Sequence, residues 1–492
     1  MKEHKSSYRQ IMKATSLFGG VQVFNIIISI IKSKAIAVLL GPKGMGIASL
    51  LSSTVELISS LTNFRLGNSA VKDIAAAHTS GDDNKISKII SVFRKLVWVT
   101  GILGAIVTII LAPWLSEFTF GNNHYTWAFV WISVTLLLNQ LSSGQLVLLQ
   151  GMRQLNYLAK ANMVGAVAGL CIAVPIYYFY GIDGIVPTMI ITSIVSMLTS
   201  WYFSNKIKIK TIPVSKKDLI TDGKGMMQLG FMLSLSSLMT VGESFLVRSY
   251  ISNTGGLEDV GLYGAGFAII GTYVGLIFSA MGTDYFPRLS GVAHDNKETK
   301  ILVNQQSEIG VLILAPLLTV FLIFINWIVI ILYSTKFIPV NDMIHWAALG
   351  MFFKVVSWAI GFILIAKGAS KTFFWSELLG TSYLLILNLL GYHFFGLEGL
   401  GVSFFIAYFL VLIQVYLIAK YKYQFSFNLE FSKIFAIQFL LAIVCFLISR
   451  YMPSPYSYIA GTAIIIITSW YTYIELDKRL DIKNIIKKFT KK

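Results

Sequence analysis

Apolar stretches of about twenty residues follow one another from end to end of this chain, and nothing in the sequence constrains its fold more. Only helices, which satisfy their own backbone hydrogen bonds, and closed barrels can cross a bilayer, and stretches of this length suit helices. Read this way, the chain carries about fourteen helices. They fall at roughly 14–40, 45–66, 96–115, 125–149, 159–180, 184–204 and 226–251, then at roughly 261–283, 308–333, 338–366, 374–394, 397–419, 434–451 and 456–474. With 55% hydrophobic and 13% charged residues, the chain is far from the quarter or so of charged residues in soluble domains. The expected fold class is an all-α polytopic membrane protein. The first thirteen residues are polar and the apolar run behind them continues as a full span, so no removable signal peptide is expected.

A net charge of +17 would suggest nucleic acid in a soluble protein. Here the basic residues sit in alternate loops. One set holds Lys72, Lys85, Lys88, Arg94 and Lys95, then Lys206, Lys208, Lys210, Lys216, Lys217 and Lys224. It ends with Lys478, Arg479, Lys483, Lys487, Lys488, Lys491 and Lys492 in the tail. The other set holds little beyond Lys43, Lys336 and Arg450. The positive-inside rule then puts both termini in the cytoplasm, and anionic lipid headgroups are a sufficient partner for the surplus. No nucleic acid is called for. Cys171 and Cys445, both in apolar segments, read as small core residues rather than a disulfide.

The chain reads as duplicated. Gly44-Met-Gly46 matches Gly264-Ala-Gly266, Tyr180-Gly-Ile-Asp183-Gly-Ile matches Phe395-Gly-Leu-Glu398-Gly-Leu, and Gly151 matches Gly368, in order and at slowly drifting offsets. Each match alone could be chance. Together they imply two six-helix lobes of the same orientation, related by a pseudo-two-fold along the membrane normal, with a substrate site near the midplane. The expected organisation is an N-terminal lobe at 1–204, a basic linker at 205–225, a C-terminal lobe at 226–419, and two added helices with a basic tail at 420–492. Two lobes about a cavity is a transporter's plan, and a cavity complete in one chain makes a monomer sufficient.

Within the spans lie five cations: Lys32, Lys34, Arg65, Arg248 and Lys354. Each would cost roughly 2.5–3.5 kcal/mol at the bilayer centre facing lipid, so they are expected to face a shared wet interior that an anion visits. Lys32 and Lys34 are two positions apart and cannot share a helix face; Lys34 is the preferred one. Lys34, Arg248 and Lys354 are the candidate substrate-binding residues. A compact ammonium and a planar guanidinium suit a pyrophosphate, and equally a carboxylate drug or an acidic sugar. Glu56 and Glu243 supply countercharge, with structural pairing and proton coupling both open for Glu243. Arg65 and Lys32 could instead snorkel or form structural ion pairs. Asp284, Arg288 and Glu308 are expected to cluster.

His345 and His393 read as structural, and no histidines have metal-ligand spacing, so neither a metal nor a cofactor is expected. Gly41-Pro-Lys-Gly44-Met-Gly46 lacks the Gly-Lys-Ser/Thr ending of a phosphate loop. No loop is long enough to house a catalytic domain, so the chain is expected not to be an enzyme.

Several segments together resemble the Wzx-type polysaccharide flippases, within the multidrug/oligosaccharidyl-lipid/polysaccharide exporter superfamily. These are Lys34 through Gly46, the Arg248 segment ending in Asp259-Val-Gly261-Leu-Tyr263, Pro287, and the run Tyr333 through Lys354 to Lys367. The resemblance is to the group that handles O-antigen and enterobacterial common antigen units. It implies an undecaprenyl-pyrophosphate-linked oligosaccharide as substrate, moved from the cytoplasmic to the periplasmic leaflet of the bacterial inner membrane by alternating access. The pyrophosphate would be held by Lys34, Arg248 and Lys354, and the polyprenyl tail would leave through a lateral gap between helices 1 and 8. A polysaccharide polymerase and a chain-length regulator are further candidate partners. A cation-coupled multidrug exporter of the same superfamily is the competing reading, against which a net positive cavity argues; a membrane enzyme acting on polyprenyl carriers is a third.

Overall fold

The computed structural model describes residues 2–80, 82–207, 209, 212–214 and 216–480, and every regular element among them is helical. Lys208, Lys210 and the tail lysines from Lys483 onward lie outside the described residues. The elements are α1 (Lys2–Thr62), α2 (Leu66–Ser80), α3 (Asp83–Phe120), α4 (Thr126–Gly151), α5 (Leu155–Tyr180), α6 (Ile185–Ser204) and α7 (Lys216–Thr254). They continue as α8 (Leu257–Ala268), α9 (Gly275–Gly291), α10 (Asn296–Leu332), α11 (Asn341–Ala366), α12 (Ser370–Tyr423), α13 (Leu429–Tyr451) and α14 (Tyr456–Leu480). Each expected span overlaps helix, but residues 63–65 form a turn inside the expected 45–66 span, and the expected 261–283 span is divided between α8 and α9. The protein is a polytopic all-α membrane protein.

Two expected pairs of spans are joined without a loop. α1 bends at Gly41 (φ 68°, ψ −172°), with Pro42 directly after it. That backbone region is essentially closed to residues with a Cβ, and a proline opening the next segment loses no needed donor. α12 bends at Gly396 (φ 57°, ψ −140°). Gly181, its partner in the repeated motif, ends α5 at φ 54° and ψ −131°. The two copies of the motif therefore share a local conformation. Gly151 and Gly368 do not: Gly368 has φ 67°, whereas Gly151 is helical and pressed against Ile74.

Several helices run past their apolar windows because polar caps start them earlier. The Asp82 carboxylate accepts from the Asn84 and Lys85 N–H groups at 3.0 and 3.1 Å and opens α3. Asp295 does the same for α10, accepting from Lys297 at 2.6 Å. The Lys297 N–H, with that of Glu298, holds the Asp295 carboxyl below its usual range. α2 has no counterpart among the expected spans. It is a short amphipathic helix that buries Leu66, Ala70, Ile74 and Ala77, spaced four, four and three apart.

The contacts divide the chain into Met1–Gly261 and Leu262–Lys492. In the first unit α7 packs on α1, α2 and α3, and Gly230 passes so close to the Phe64 carbonyl that a Cβ would collide with it. By contacts, therefore, α7 goes with the N-terminal helices, and the division falls at Gly261 rather than in the basic stretch 205–225. A second close approach joins α1 to α8: Gly46 lies against the Leu257 carbonyl and Gly261 against the Pro42 carbonyl. Residues four apart on one helix meet residues four apart on the other in reverse order, so the two backbones touch antiparallel, as small residues permit between membrane helices.

In the second unit α10 contacts α11, α13 and α14, and α11 packs along α12. Its cysteine, Cys445, is buried on α13; Cys171, in the first unit, is exposed on α5. Neither is paired, and the expectation of a core position fails for Cys171, whose helix turns that face outward.

Candidate functional site

The second segment of α1 carries a polar stripe through an otherwise apolar span. Ser49, Ser52, Glu56, Ser59 and Ser60 recur at three- and four-residue steps, which keeps them on one helix face, and Asn63 continues the series just past the helix end. Unsatisfied polar groups facing hydrocarbon cost several kcal/mol each, so the stripe requires polar surroundings. The first unit supplies them.

Near one end stands Arg248 of α7. Its Nε donates to Ser49 Oγ at 3.0 Å, and its Nη1 donates to the Ser244 carbonyl at 3.1 Å and to the Ser244 hydroxyl. Ser244 is one turn back on the same helix. The guanidinium is half-buried and pinned between α7 and α1. Near the other end Arg65 follows α1, in a turn where Phe64 and Arg65 have φ of 48° and 39°. That left-handed region is uncommon for residues with side chains. Arg65 Nε donates to Ser237 Oγ of α7 at 3.0 Å, so α7 holds a guanidinium at both ends of the stripe.

Two cavities lie along the stripe between them. One, of about 280 Å³, is lined by Glu56, Ser59, Asn63, Arg65, Gln140 and Ser237 among others. The second, of about 480 Å³, is bounded by Ser52, Val55, Glu56 and Ser59 of α1, Thr135 and Asn139 of α4, and Met189, Thr192, Ser193 and Ser196 of α6. Each helix presents residues at helical spacing, and hydroxyl and amide groups predominate. Glu56 and Ser59 face both cavities, and Glu56 is exposed to them.

The structure thus brings Glu56 and Arg65 to one cavity and sets Arg248 further along the same stripe. Lys34 is half-buried on the first segment of α1, whereas Lys32 is exposed on another face. Glu243 is half-buried on α7 and lines neither cavity. Lys354 belongs to the second unit, half-buried on α11. Its Nζ stands 5.0 Å from the Tyr408 ring centroid and 5.5 Å from that of Phe404, a cation–π cradle of α12 aromatics that holds the ammonium without neutralising it.

Glu308 departs from expectation. Asp284 and Arg288 pair with each other at 3.1 Å on the surface. Glu308 does not join them. It is buried against α14, where Arg479 Nε donates to it at 2.8 Å, and Asn428 Nδ2 donates to its other oxygen at 3.1 Å. A buried carboxylate requires such a partner, and Arg479, far along the chain, supplies it. His345 is structural in its contacts: buried, it hydrogen-bonds the Leu322 carbonyl at 3.1 Å and Ser449 at 3.0 Å. Among the described residues no cluster of His, Cys, Asp and Glu could hold a metal.

Asn139, Thr135, Thr192, Ser193 and Ser196 were not singled out from the sequence. The signal available was their spacing, polar residues at helical intervals within apolar spans, which a search for charges passes over.

Residues 35–342, more than half of the chain, match the family model described as polysaccharide biosynthesis protein. Among characterised proteins, the chain is similar to the lipid III flippase of Escherichia coli (strain K12), at 21% identity over 72% of this chain and 84% of that protein. The lipid III flippase of Shigella flexneri is similar to the same extent. Among solved structures, it resembles the lipid II flippase MurJ in an inward-closed conformation, with TM-score 0.69, 15% identity, and coverage of 94% of this chain and 99% of that one. It also resembles an inward-facing multidrug resistance MATE family transporter, with TM-score 0.68, 13% identity, and coverage of 83% and 95%. At these identities the structural likenesses speak for the fold alone.

Proposed function

Since the chain belongs to the polysaccharide biosynthesis protein family, we propose that it is a flippase for an undecaprenyl-pyrophosphate-linked oligosaccharide in the bacterial inner membrane. It moves the headgroup from the cytoplasmic to the periplasmic leaflet by alternating access, in the making of O-antigen or a related surface polysaccharide. Its two termini lie in the cytoplasm. The chain moves its substrate and leaves it chemically unchanged.

The observation that carries this reading is the placement of Arg248. A guanidinium within a membrane helix is costly, and here it is fixed by Ser49 and Ser244 at the end of a polar stripe. Its fork geometry favours phosphate oxygens, which it can meet two at a time. The reading gives Arg248 and Lys34 of the first unit, and Lys354 of the second, the task of neutralising the pyrophosphate during its passage. The stripe and its cavities offer the hydroxyl-rich headgroup hydrogen bonds in place of water, which hydrocarbon could not. The likeness to lipid III flippases supports a lipid-linked glycan as cargo.

The test is replacement in the native cell. An Arg248→Ala/Lys34→Ala double variant, shown to be inserted and expressed at the normal level, is expected to lose surface glycan and to accumulate the lipid-linked unit on the inner leaflet. Normal surface glycan from that variant would refute the proposal.

A further inference from the structure

We propose that the 480 Å³ chamber between α1, α4 and α6 is a glycan subsite, and that it selects neutral, hydroxyl- and N-acetyl-bearing sugars. The inference rests on the flippase reading and adds to it where the sugars sit and which kind they are.

The argument starts from the balance of donors and acceptors. Thr135 spends its hydroxyl proton on the Ile132 carbonyl at 2.6 Å, Thr192 on Thr188 at 2.7 Å, and Ser193 on Met189 at 2.8 Å. Their oxygens are left as acceptors. The Glu56 carboxylate, when ionised, accepts only. Asn139, exposed on α4, adds two N–H donors and one carbonyl. The wall therefore holds several oxygens that can only accept, beside the Asn139 amide and the hydroxyls of Ser52, Ser59 and Ser196, which can both donate and accept. Such a wall complements a ligand rich in O–H and amide N–H groups.

Charge sharpens the choice. Among the described residues, the one ionisable side chain lining this chamber is Glu56. A carboxylate there repels the pyrophosphate and any uronic acid, and it strengthens hydrogen bonds from neutral hydroxyls. The volume lies within the range of small-ligand sites, about 300–1,000 Å³.

Position fits as well. Ser49, which holds Arg248, and Glu56 are seven residues apart, two turns and about 10 Å along one face of α1. A diphosphate on the Arg248 guanidinium would direct the attached sugars along the stripe toward the chamber. The anion and the glycan then occupy separate, chemically opposite parts of one helix face.

Full-length protein in lipid nanodiscs, probed by native mass spectrometry, tests this. The probes are undecaprenyl pyrophosphate alone, the same carrier bearing one N-acetylhexosamine, and the carrier bearing one hexuronic acid. Wild type is expected to bind the N-acetylhexosamine form about tenfold or more tighter than the bare carrier, and the hexuronic form less tightly than the N-acetylhexosamine form. Asn139→Leu should erase most of the gain and leave affinity for the bare carrier unchanged. Glu56→Gln should narrow the gap between neutral and acidic sugars. Equal binding of all three probes by wild type, or a loss in Asn139→Leu that falls equally on the bare carrier, would overturn the subsite while leaving the flippase reading intact. Failure of wild type to bind the bare carrier would instead count against the flippase reading.

Discussion

Arg248 owes its position to two serines. Its Nε bond to Ser49 crosses from α7 to α1, and its Nη1 bonds to Ser244 fold the side chain back along its own helix. Lysine in its place would keep the charge but lose the planar fork that serves these partners and, on the flippase reading, an anion as well. Arg248→Lys should therefore slow flipping by about tenfold or more, taking one lost charge-assisted hydrogen bond at 1.5–3 kcal/mol. Ser49→Ala, which frees the guanidinium without removing it, should cost about two- to tenfold. Both are read as the rate at which a labelled lipid-linked glycan reaches the opposite leaflet of proteoliposomes. A wild-type rate less than twofold above that of either variant would mean that the anchoring of Arg248 is incidental. At this scale the sequence was legible for charge and silent on partners. Helical arithmetic separated Lys32 from Lys34, and the structure sets them on differently exposed faces. It could not show that Glu308 looks to Arg479 rather than to Arg288, because that pairing joins residues 171 apart. Nor could it show that Cys171 is exposed, since an apolar helix is apolar on every face.

Elements were the most readable level, because twenty apolar residues have few ways to cross a bilayer. What escaped was helix beyond the hydrocarbon. α2 escaped because its apolar content is one stripe, Leu66, Ala70, Ile74 and Ala77, which no hydropathy window detects. The polar stripe on α1 escaped for the converse reason, as serines barely lower the mean hydropathy of a span. The contact between α1 and α8 was half visible: the glycines stood out, their partners did not. Gly46 and Gly261 each meet a carbonyl of the other helix so closely that no side chain fits. The obstacle is backbone, which cannot swing aside. Gly46→Leu or Gly261→Ala should thus force the helices apart at a cost of about 1–3 kcal/mol or more. The expected result is a lower midpoint of thermal unfolding in detergent for both variants. Gly225→Ala, where a Cβ meets open space, is the control. An unchanged midpoint in Gly261→Ala would show that the close approach does not bear on stability.

At the scale of the whole chain, Gly181 and Gly396, matched in the repeated motif, have the same backbone conformation, each in its own unit. The division by contacts was not legible, because α7 follows the basic stretch in sequence yet packs with the helices before it. Nor did the sequence reveal what secures α13 and α14. In the second unit Arg479 near the end of α14 gathers three carboxylates: Glu308 of α10 at 2.8 Å, Glu475 of its own helix at 2.6 Å, and Glu430 of α13 at 3.5 Å. Asn428, which caps α13 through the Phe431 N–H at 2.6 Å, also holds Glu308. Glu308 and Arg479 are well shielded from solvent, so the pair is more than a surface bridge. Removing Arg479 leaves the Glu308 carboxylate buried with no opposite charge beside it, at about 3–5 kcal/mol, whereas removing both is far milder. Arg479→Leu should accordingly lower the unfolding midpoint sharply, and the double variant Glu308→Leu/Arg479→Leu should recover much of the loss. Additive losses in that double-mutant cycle, measured by thermal unfolding of the purified protein, would show that the two side chains do not act as a pair. A recovered midpoint together with normal surface glycan would show that the clamp serves stability, and that the chemistry of passage resides elsewhere.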